Sequence, residues 1–353
     1  MNNKLTYKTY SLTLDVLIKK YLSFSVQSNI PINKYKISFP FLFLTPKFHK
    51  LPVKFRYICS NVNSIGNSFN RKFENMLKRI LNILKFKYKD DNLFWIISSS
   101  FDIASIINSS TINTVSTYDF ENLFTNIPVK TLKDVLLKIL DLVLNDIDFE
   151  PVLFRKLCNF CLQNNYIYTG SKIYLQINGI GMGTSYSSSA ANLFLFFYEF
   201  QYRNSALNDC NFLAYRYIDD LIVLNLTADF LEIANSIYPD CLKLKKTNNE
   251  NFSADFLDLK ISLGDNNYIS VYDKRNSFNF NVNQFIHWSS NIHKHIYINI
   301  IIGQIYRYFK ICNNKRLFQK ELFCLCAKLY YNNCIPLRFI KKYSDFAKGL
   351  NIT

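Results

Sequence analysis

Ala214 to Leu224 reads "AYRYIDDLIVL". Two adjacent carboxylates, Asp219 and Asp220, divide two runs whose Tyr, Ile, Leu and Val content reads as buried β-strand. Half-burying paired negative charges is unfavourable unless a cation or hydrogen-bond donors compensate them. The pattern predicts a hairpin over 211–224, with both aspartates in the turn and Tyr217 and Leu221 marking the flanking strands. An Asp-Asp pair alone is ordinary turn composition. A second carboxylate changes its weight. "NTVSTYDF" is a Thr/Val-rich strand reaching Asp119, one hundred residues before Asp219. If the two strands are neighbours, Asp119 and Asp219 converge. Carboxylates with open positions suit Mg²⁺, which keeps waters and accepts substrate phosphates as its remaining ligands. Such a pair is what two-metal phosphoryl transfer requires.

Composition agrees with a polyanionic partner. The chain has 353 residues, 49% hydrophobic and 19% charged, enough to fill a core. Lys and Arg number 42 against 26 Asp and Glu, a formal charge of +16. That excess points to nucleic acid or an anionic surface, although abundant Lys, Asn, Ile, Phe and Tyr also fit a biased genome. "NLFLFFYEF" (192–200) is far short of the roughly 20 apolar residues a bilayer span needs. The N-terminus lacks the basic-then-apolar layout of a signal peptide. Nine cysteines without a paired framework favour a reducing intracellular setting, not secretion. Cys158 and Cys161 fall at i, i+3 on an expected helix and read as buried thiols, since no second pair completes a zinc site.

Along the chain, residues 1–38 are polar and helix-like, and "FPFLFLTPKFHKLPVKFRYICS" (39–60) is extended and punctuated by Pro40, Pro46 and Pro52. Helical spacing follows over 68–88. A second helix opens at Pro128, with a stripe of Val129, Leu132, Val135, Leu136, Ile139 and Val143. "SKIYLQINGIGMGTSYSSSAANLFLFFYEF" (171–200) reads as strand, glycine-rich turn and buried helix. "ADFLDLKISLGDNNYISVYDK" (254–274) reads as a hairpin turning at Gly264, Asp265 and Asn266, and the last eighty residues are mainly helical. This order implies an α+β fold instead of a doubly wound parallel sheet.

With these segments in place, "YIDD" resembles the Tyr-x-Asp-Asp hairpin of reverse transcriptases, and "YDFENLFTNIP" resembles their first catalytic motif. The resemblance is most specific to the Penelope-like element reverse transcriptases, retroelement enzymes related to telomerase. "LTPKFHKLPVKFRYICS" is similar to that group's "LPKIHK…RPI", and "GIGMGTSYSSSAANLFLFFYE" to its Gly-Met-Gly turn and helix. "FLDLKI…ISVYDK" and "GQIYRYFKIC" resemble its post-palm hairpin and thumb, so the likeness runs in order from about residue 40 to 312.

The resemblance implies a right-hand polymerase fold with fingers, a palm of antiparallel sheet plus helices, and a helical thumb. Residues 1–112 would form the N-terminal region and fingers. Residues 113–265 would form the palm, with an inserted fingers segment at about 140–178, and 266–353 the post-palm hairpin and thumb. It implies a nucleotidyltransferase, an RNA-directed DNA polymerase, using two Mg²⁺ ions or Mn²⁺. Asp119 and Asp219 would ligate metal together with the Phe120 carbonyl, and Asp220 would support the site. Phe124 would be a steric gate against a ribose 2′-OH. Lys47 and Arg56 would meet the incoming triphosphate, with His49 and Lys50 shaping the loop. Gly181, Met182 and Gly183 would approach the nascent base pair, and one of Lys243, Lys245 and Lys246 the leaving pyrophosphate, with Lys246 favoured. His287, Trp288, His293, His295, Lys310, Lys315 and Arg316 would track the phosphates of an RNA/DNA hybrid. Partners would be an RNA template, a DNA primer, dNTPs and a separate endonuclease, in the nucleus of a eukaryotic cell.

The chain departs from the family at Thr45, Tyr57 and Cys59, and "SSSAAN" lacks the common Pro after Ser. These are supporting positions and bear on efficiency more than reaction type. No GIY-YIG endonuclease motif follows the thumb-like segment. An RNA-directed RNA polymerase and a domesticated nucleic-acid-binding protein are the competing readings; Phe124 argues against the first and the intact aspartates against the second.

Overall fold

The computed structural model describes residues 6–10, 13–32, 38–48, 50, 52–89, 92–205, 212–280, 282–332 and 334–341; His49 lies outside them. The strands are β1 (Tyr7–Tyr10), β2 (Phe41–Lys47), β3 (Lys54–Ser60), β4 (Val115–Phe120), β5 (Tyr166–Tyr168), β6 (Ile173–Gln176), β7 (Leu213–Tyr217), β8 (Asp220–Leu224), β9 (Leu244–Lys246), β10 (Ser253–Phe256), β11 (Leu259–Ser262) and β12 (Tyr268–Val271). The helices are α1 (Leu14–Ser28), α2 (Asn67–Tyr88), α3 (Ser100–Ser109), α4 (Leu123–Asn126), α5 (Val129–Leu142), α6 (Pro151–Gln163), α7 (Ser187–Ser205), α8 (Phe230–Ile237), α9 (Lys294–Ile311) and α10 (Lys315–Tyr331). They form two units, each assembled from separated stretches of chain. One comprises 1–96, 120–210 and 230–245; the other comprises 97–119, 211–229 and 246–353.

The first unit is built around α7. Six of its residues, Ala190, Ala191, Leu193, Phe194, Leu195 and Phe196, are fully buried, because neighbours cover several of its faces. Helices α2 and α5 pack against it with single stripes. That of α2 is Phe69, Phe73, Met76, Leu77, Ile80 and Leu84, leaving Arg71, Lys72, Lys78 and Arg79 in solvent. The α5 stripe is the expected one, with Leu132, Val135, Leu136, Ile139 and Val143 buried, but Leu140 joins it while Val129 stays partly exposed. Cys158 and Cys161 are buried on α6, and burial pushes the Cys158 thiol up to about 12, as inert structural thiols require. Rings from α1, α2 and α6 meet at Phe160, which stacks on Phe24 at 3.8 Å and meets Tyr21 and Phe69 edge-on.

Two antiparallel assemblies complete this unit. One is a three-stranded sheet ordered β1-β6-β5; the other is the β2-β3 hairpin. The region over 39–60 is therefore a paired hairpin, not merely extended chain. The expected helical start of the chain includes a strand, because Tyr7–Tyr10 pairs with Ile173–Gln176.

The second unit carries β7, β8 and all but the last residue of β4, neighbours in the order β7-β8-β4, and a three-stranded sheet ordered β10-β11-β12. The expected hairpin over 254–274 is thus three strands, β10 being joined to β11 by a tight turn with Leu257 at φ 53°. The core gathers Ile103 and Ile107 of α3, Val115 of β4, Ile222 and Leu224 of β8, and Leu259 and Ile261 of β11. Asn248 braces β4: its side chain accepts the Thr117 N–H at 2.9 Å and donates to the Val115 carbonyl at 3.0 Å. A second core lies between α9 and α10, from Tyr297, Ile301 and Ile305 to Phe318, Leu322 and Leu325. No helix among the described residues is long and apolar enough to cross a membrane.

Candidate active site

Strands β4 and β8 are antiparallel neighbours, and their register sets Asp119 directly opposite Asp220. Strand β7 pairs with β8 so that Tyr217 also faces Asp220. Ile218 and Asp219 are therefore the two-residue loop, and Asp220 is the first residue of β8. This corrects the expectation that both aspartates occupy the turn. The cause is Ile218, which takes the left-handed conformation (φ 57°) that two-residue hairpin loops demand and that Gly or Asn usually supplies. A β-branched residue there costs about 1–3 kcal/mol.

Arg216 compensates. Its side chain is fully buried and its Nη1 donates to the Ile218 carbonyl at 2.9 Å, while its own carbonyl accepts the Ile97 N–H at 3.0 Å. A buried guanidinium bonded to the loop carbonyl fixes where Asp219 projects. The sequence carried a signal for it: in "AYRY" Arg216 has the same strand parity as buried Ala214.

Like charges directly opposite on paired strands repel. Burial, then the charges of Asp219 and Asp119, push the Asp220 carboxyl up to about 7, against an opposing influence from Lys274. Lys274, in the 3-10 turn Lys274–Ser277, had no local sequence signal. Because the folded pKa is raised, the metal-free protein loses stability as pH rises from about 4 towards 7, and the loss levels off above that. In chelator, Asp220→Asn should match wild type near pH 4. It should exceed wild type near pH 8 by on the order of 1–2 kcal/mol, allowing for the partial exposure of the site. Thermal melts across that pH range check it; parallel curves would refute the repulsion.

The charges of Asp119 and Asp219 on Asp220 are of the kind that a proton or a nearby cation relieves. Among the described residues no three His, Cys, Asp or Glu side chains close into a metal cage. A divalent ion here would need an open site, completed by waters and phosphate oxygens, of the kind Mg²⁺ prefers.

The first unit gathers most of the expected nucleotide contacts. Across β2-β3, Thr45 faces Arg56 and Lys47 faces Lys54, so Lys47 and Arg56 lie on one face of the hairpin. The glycine-rich loop is clamped on both sides. The Ile180 N–H donates to the Phe124 carbonyl at 2.7 Å, and the Cys59 N–H donates to the Met182 carbonyl at 2.7 Å. Phe124 of α4 is half-buried, as is Met182, and Gly183 is exposed. At Gly183 (φ 101°) an added Cβ would sit 2.5 Å from the Cys59 oxygen, so only glycine allows this approach to β3. Phe124, Met182 and β3 are thus linked through one loop.

The remaining expected residues are more dispersed. The Phe120 ring is core, edge-on to Tyr238 at 4.9 Å, leaving its backbone as the group it can offer. Lys246 Nζ donates to Asn251 Oδ1 at 2.9 Å, whereas Lys243 and Lys245 are exposed and the Lys243 carbonyl accepts the Glu121 N–H. Lys50 is exposed. His287 caps its own turn through Ser289, and Trp288 lies under the Lys294 ammonium at 4.6 Å. His293 and His295 bring their Nδ1 atoms to 2.5 Å, and Lys310 lies over the Phe101 ring. Lys315 and Arg316 start α10 in solvent.

Comparisons with known proteins bear on this arrangement. Residues 284–344, containing α9 and α10, match the animal helix-turn-helix domain family. A comparison with curated proteins finds no match. Among solved structures the chain is similar to the telomerase of Candida albicans in complex with a TWJ fragment of telomeric RNA: 12% identity, TM-score 0.52, covering 98% of this chain and 72% of that one. It is similar to the apo telomerase of Candida tropicalis at 14% identity and TM-score 0.50, over 97% and 65% of the two chains. It is also similar to the RNA-dependent RNA polymerase of a human picobirnavirus at 11% identity and TM-score 0.53, over 88% and 60%. At these identities the likeness is one of fold. The chain is a mixed helix-and-sheet fold whose solved structural neighbours include these telomerases and this polymerase.

Proposed function

We propose that the protein is an RNA-directed DNA polymerase, a reverse transcriptase of the Penelope-like, telomerase-related kind. The observation that carries this is Asp119 directly opposite Asp220, with Asp219 in the adjoining loop. The division into fingers with the N-terminal region (1–112), palm (113–265) and post-palm hairpin with thumb (266–353) belongs to the same proposal. So does an intracellular, nuclear setting beside a separate endonuclease.

In this reading Asp119 and Asp219, with the Phe120 carbonyl, hold two Mg²⁺ ions or Mn²⁺. When bound, the ions supply charge neutralisation for the attacking and leaving oxygens of an in-line displacement. The chain's own groups do the rest. Asp220 and Lys274 set the local charge, and Arg216 fixes the loop. Lys47 and Arg56 present cations suited to a triphosphate, and Lys246 or a neighbour one suited to pyrophosphate. Phe124 supplies a ring against the sugar, with Met182 and Gly183 beside the base pair. The basic residues of 284–344 follow the backbone of an RNA/DNA hybrid.

Primer extension on poly(rA)/oligo(dT) tests this, comparing dTTP with UTP and Mg²⁺ with Mn²⁺. Incorporation of dTTP in preference to UTP is expected; the reverse preference would favour an RNA-directed RNA polymerase, a reading the picobirnavirus likeness keeps open. Phe124→Val should raise relative UTP use by on the order of 10-fold or more, since removing a steric clash is worth a few kcal/mol. Unchanged selectivity would make Phe124 a packing residue.

A further inference from the structure

Four asparagines of the first unit meet where secondary-structure elements end or begin. Asn61 follows β3, Asn70 lies in the first turn of α2, and Asn164 and Asn165 follow α6. With Tyr21 of α1 they line a cavity of about 10 Å³ beside Phe160. Asn61 and Asn164 are only 6% and 9% exposed, and each spends just part of its amide. The Asn61 Oδ1 accepts the Ser64 hydroxyl at 3.4 Å, and the Asn164 Nδ2 donates to the Phe160 carbonyl at 2.8 Å. Those bonds fix which end of each amide is left over. The Asn61 Nδ2 and the Asn164 Oδ1 are buried and have no protein partner among the described residues. One is a donor, the other an acceptor, and both belong to walls of the same cavity. Native structures rarely leave such groups unpaired, because each loses its hydration with nothing in return.

We propose that this cavity binds one water molecule, which accepts from the Asn61 Nδ2 and donates to the Asn164 Oδ1. Size and chemistry choose that occupant. A volume of roughly 10–15 Å³ seats a single water and nothing larger. A bare cation would face the Asn61 amide hydrogens, and an anion the Asn164 oxygen. Only a group that both donates and accepts suits the pair. No Asp, Glu, Lys, Arg or His lines the cavity, and burial raises the Tyr21 phenol and the Cys161 thiol, keeping both neutral. Asn70, half-buried and with no side-chain hydrogen bond among the described residues, supplies a third partner, the usual number for a buried water. The water joins the end of β3 and the start of α2 to the end of α6. It thereby anchors the root of the hairpin that carries Lys47 and Arg56. The inference concerns how the first unit is held together, and it stands or falls apart from the polymerase reading.

The test is a crystal structure of the 353-residue chain at a resolution that shows ordered water. A single spherical peak within about 3.2 Å of both amides is expected. No peak, a direct Asn61–Asn164 hydrogen bond, or density for a larger group overturns the proposal. A mutant cycle reads the same site in solution, with Asn61→Leu, Asn164→Leu and the double variant compared by denaturant midpoint. Removing one amide leaves the other without its bridge, whereas removing both leaves nothing to satisfy. The double variant should therefore lose clearly less than the sum of the single losses, and simple additivity overturns the bridge. Asn61→Leu should also speed amide exchange at Cys59 and Ile65 by about 5- to 100-fold, with α5 little affected. Equal acceleration in α5 would overturn the anchoring role. Should a variant fail to fold, the wild-type map decides alone.

Discussion

Asp219→Asn should lower Mg²⁺-dependent dNTP incorporation by about 10³-fold or more, the scale of removing a principal electrostatic stabiliser of a phosphoryl transition state. The substitution is nearly isosteric. Asn can keep the hairpin loop, because the left-handed residue is Ile218 and the Arg216 bond goes to the Ile218 carbonyl. Fold and primer-template binding should therefore persist within a few-fold, and one unit of repulsion on Asp220 disappears. Asp119→Asn should behave alike. Asp220→Asn should lose less activity if it supports the site without ligating metal. Single-turnover incorporation with binding measured alongside separates these outcomes, and full activity in Asp219→Asn would remove the metal assignment altogether.

Gly179→Ala should be among the most destabilising single-methyl changes in the chain. Gly179 sits at φ 73°, and a Cβ there would lie 2.5 Å from the Thr125 Cα and 2.6 Å from the Phe124 oxygen, both backbone atoms that cannot rotate away. Either the glycine-rich loop or α4 must move, at a cost of about 2–4 kcal/mol. Gly170 is the matched control. It has φ 89° but open space around it, so Gly170→Ala should cost only about 1–2 kcal/mol of backbone strain. Denaturant melts of the two variants isolate the clash from the strain. Because the Ile180 N–H is bonded to the Phe124 carbonyl, a surviving Gly179→Ala protein should also discriminate less well between dTTP and UTP. Equal costs at the two glycines would mean that the loop is slack.

What was legible in the sequence was what is decided locally. The α2 and α5 stripes follow from 3.6-residue periodicity, and β4 and the β7-β8 hairpin from strand composition and spacing. The carboxylate constellation was legible too, because residue type survives folding unchanged. What depended on distant chain was not. Tyr7–Tyr10 has no strand character until β6, more than 160 residues later, offers it a partner. The turn was misplaced by one residue because an isoleucine, held by a buried arginine, occupies the position that turn chemistry assigns to Gly or Asn. Lys274 acts on Asp220 only through tertiary proximity, and the shared face of Lys47 and Arg56 exists only once the register is known.

The ribosome delivers this chain to its two units in turns. Between Met1 and Thr353 the polypeptide passes from one to the other five times, and the first unit is not complete until residue 245. At a synthesis rate of about 5–20 residues per second, that unit's earliest helices wait on the order of 10–50 seconds for their last partners. Helix α2, with its six buried positions, is made long before α7 exists to cover it. A nascent chain halted near residue 119 would present that apolar stripe to solvent, making it a substrate for chaperones. No single cut within these 353 residues yields either unit whole, so expression of fragments should give more aggregate than expression of the uncut stretch.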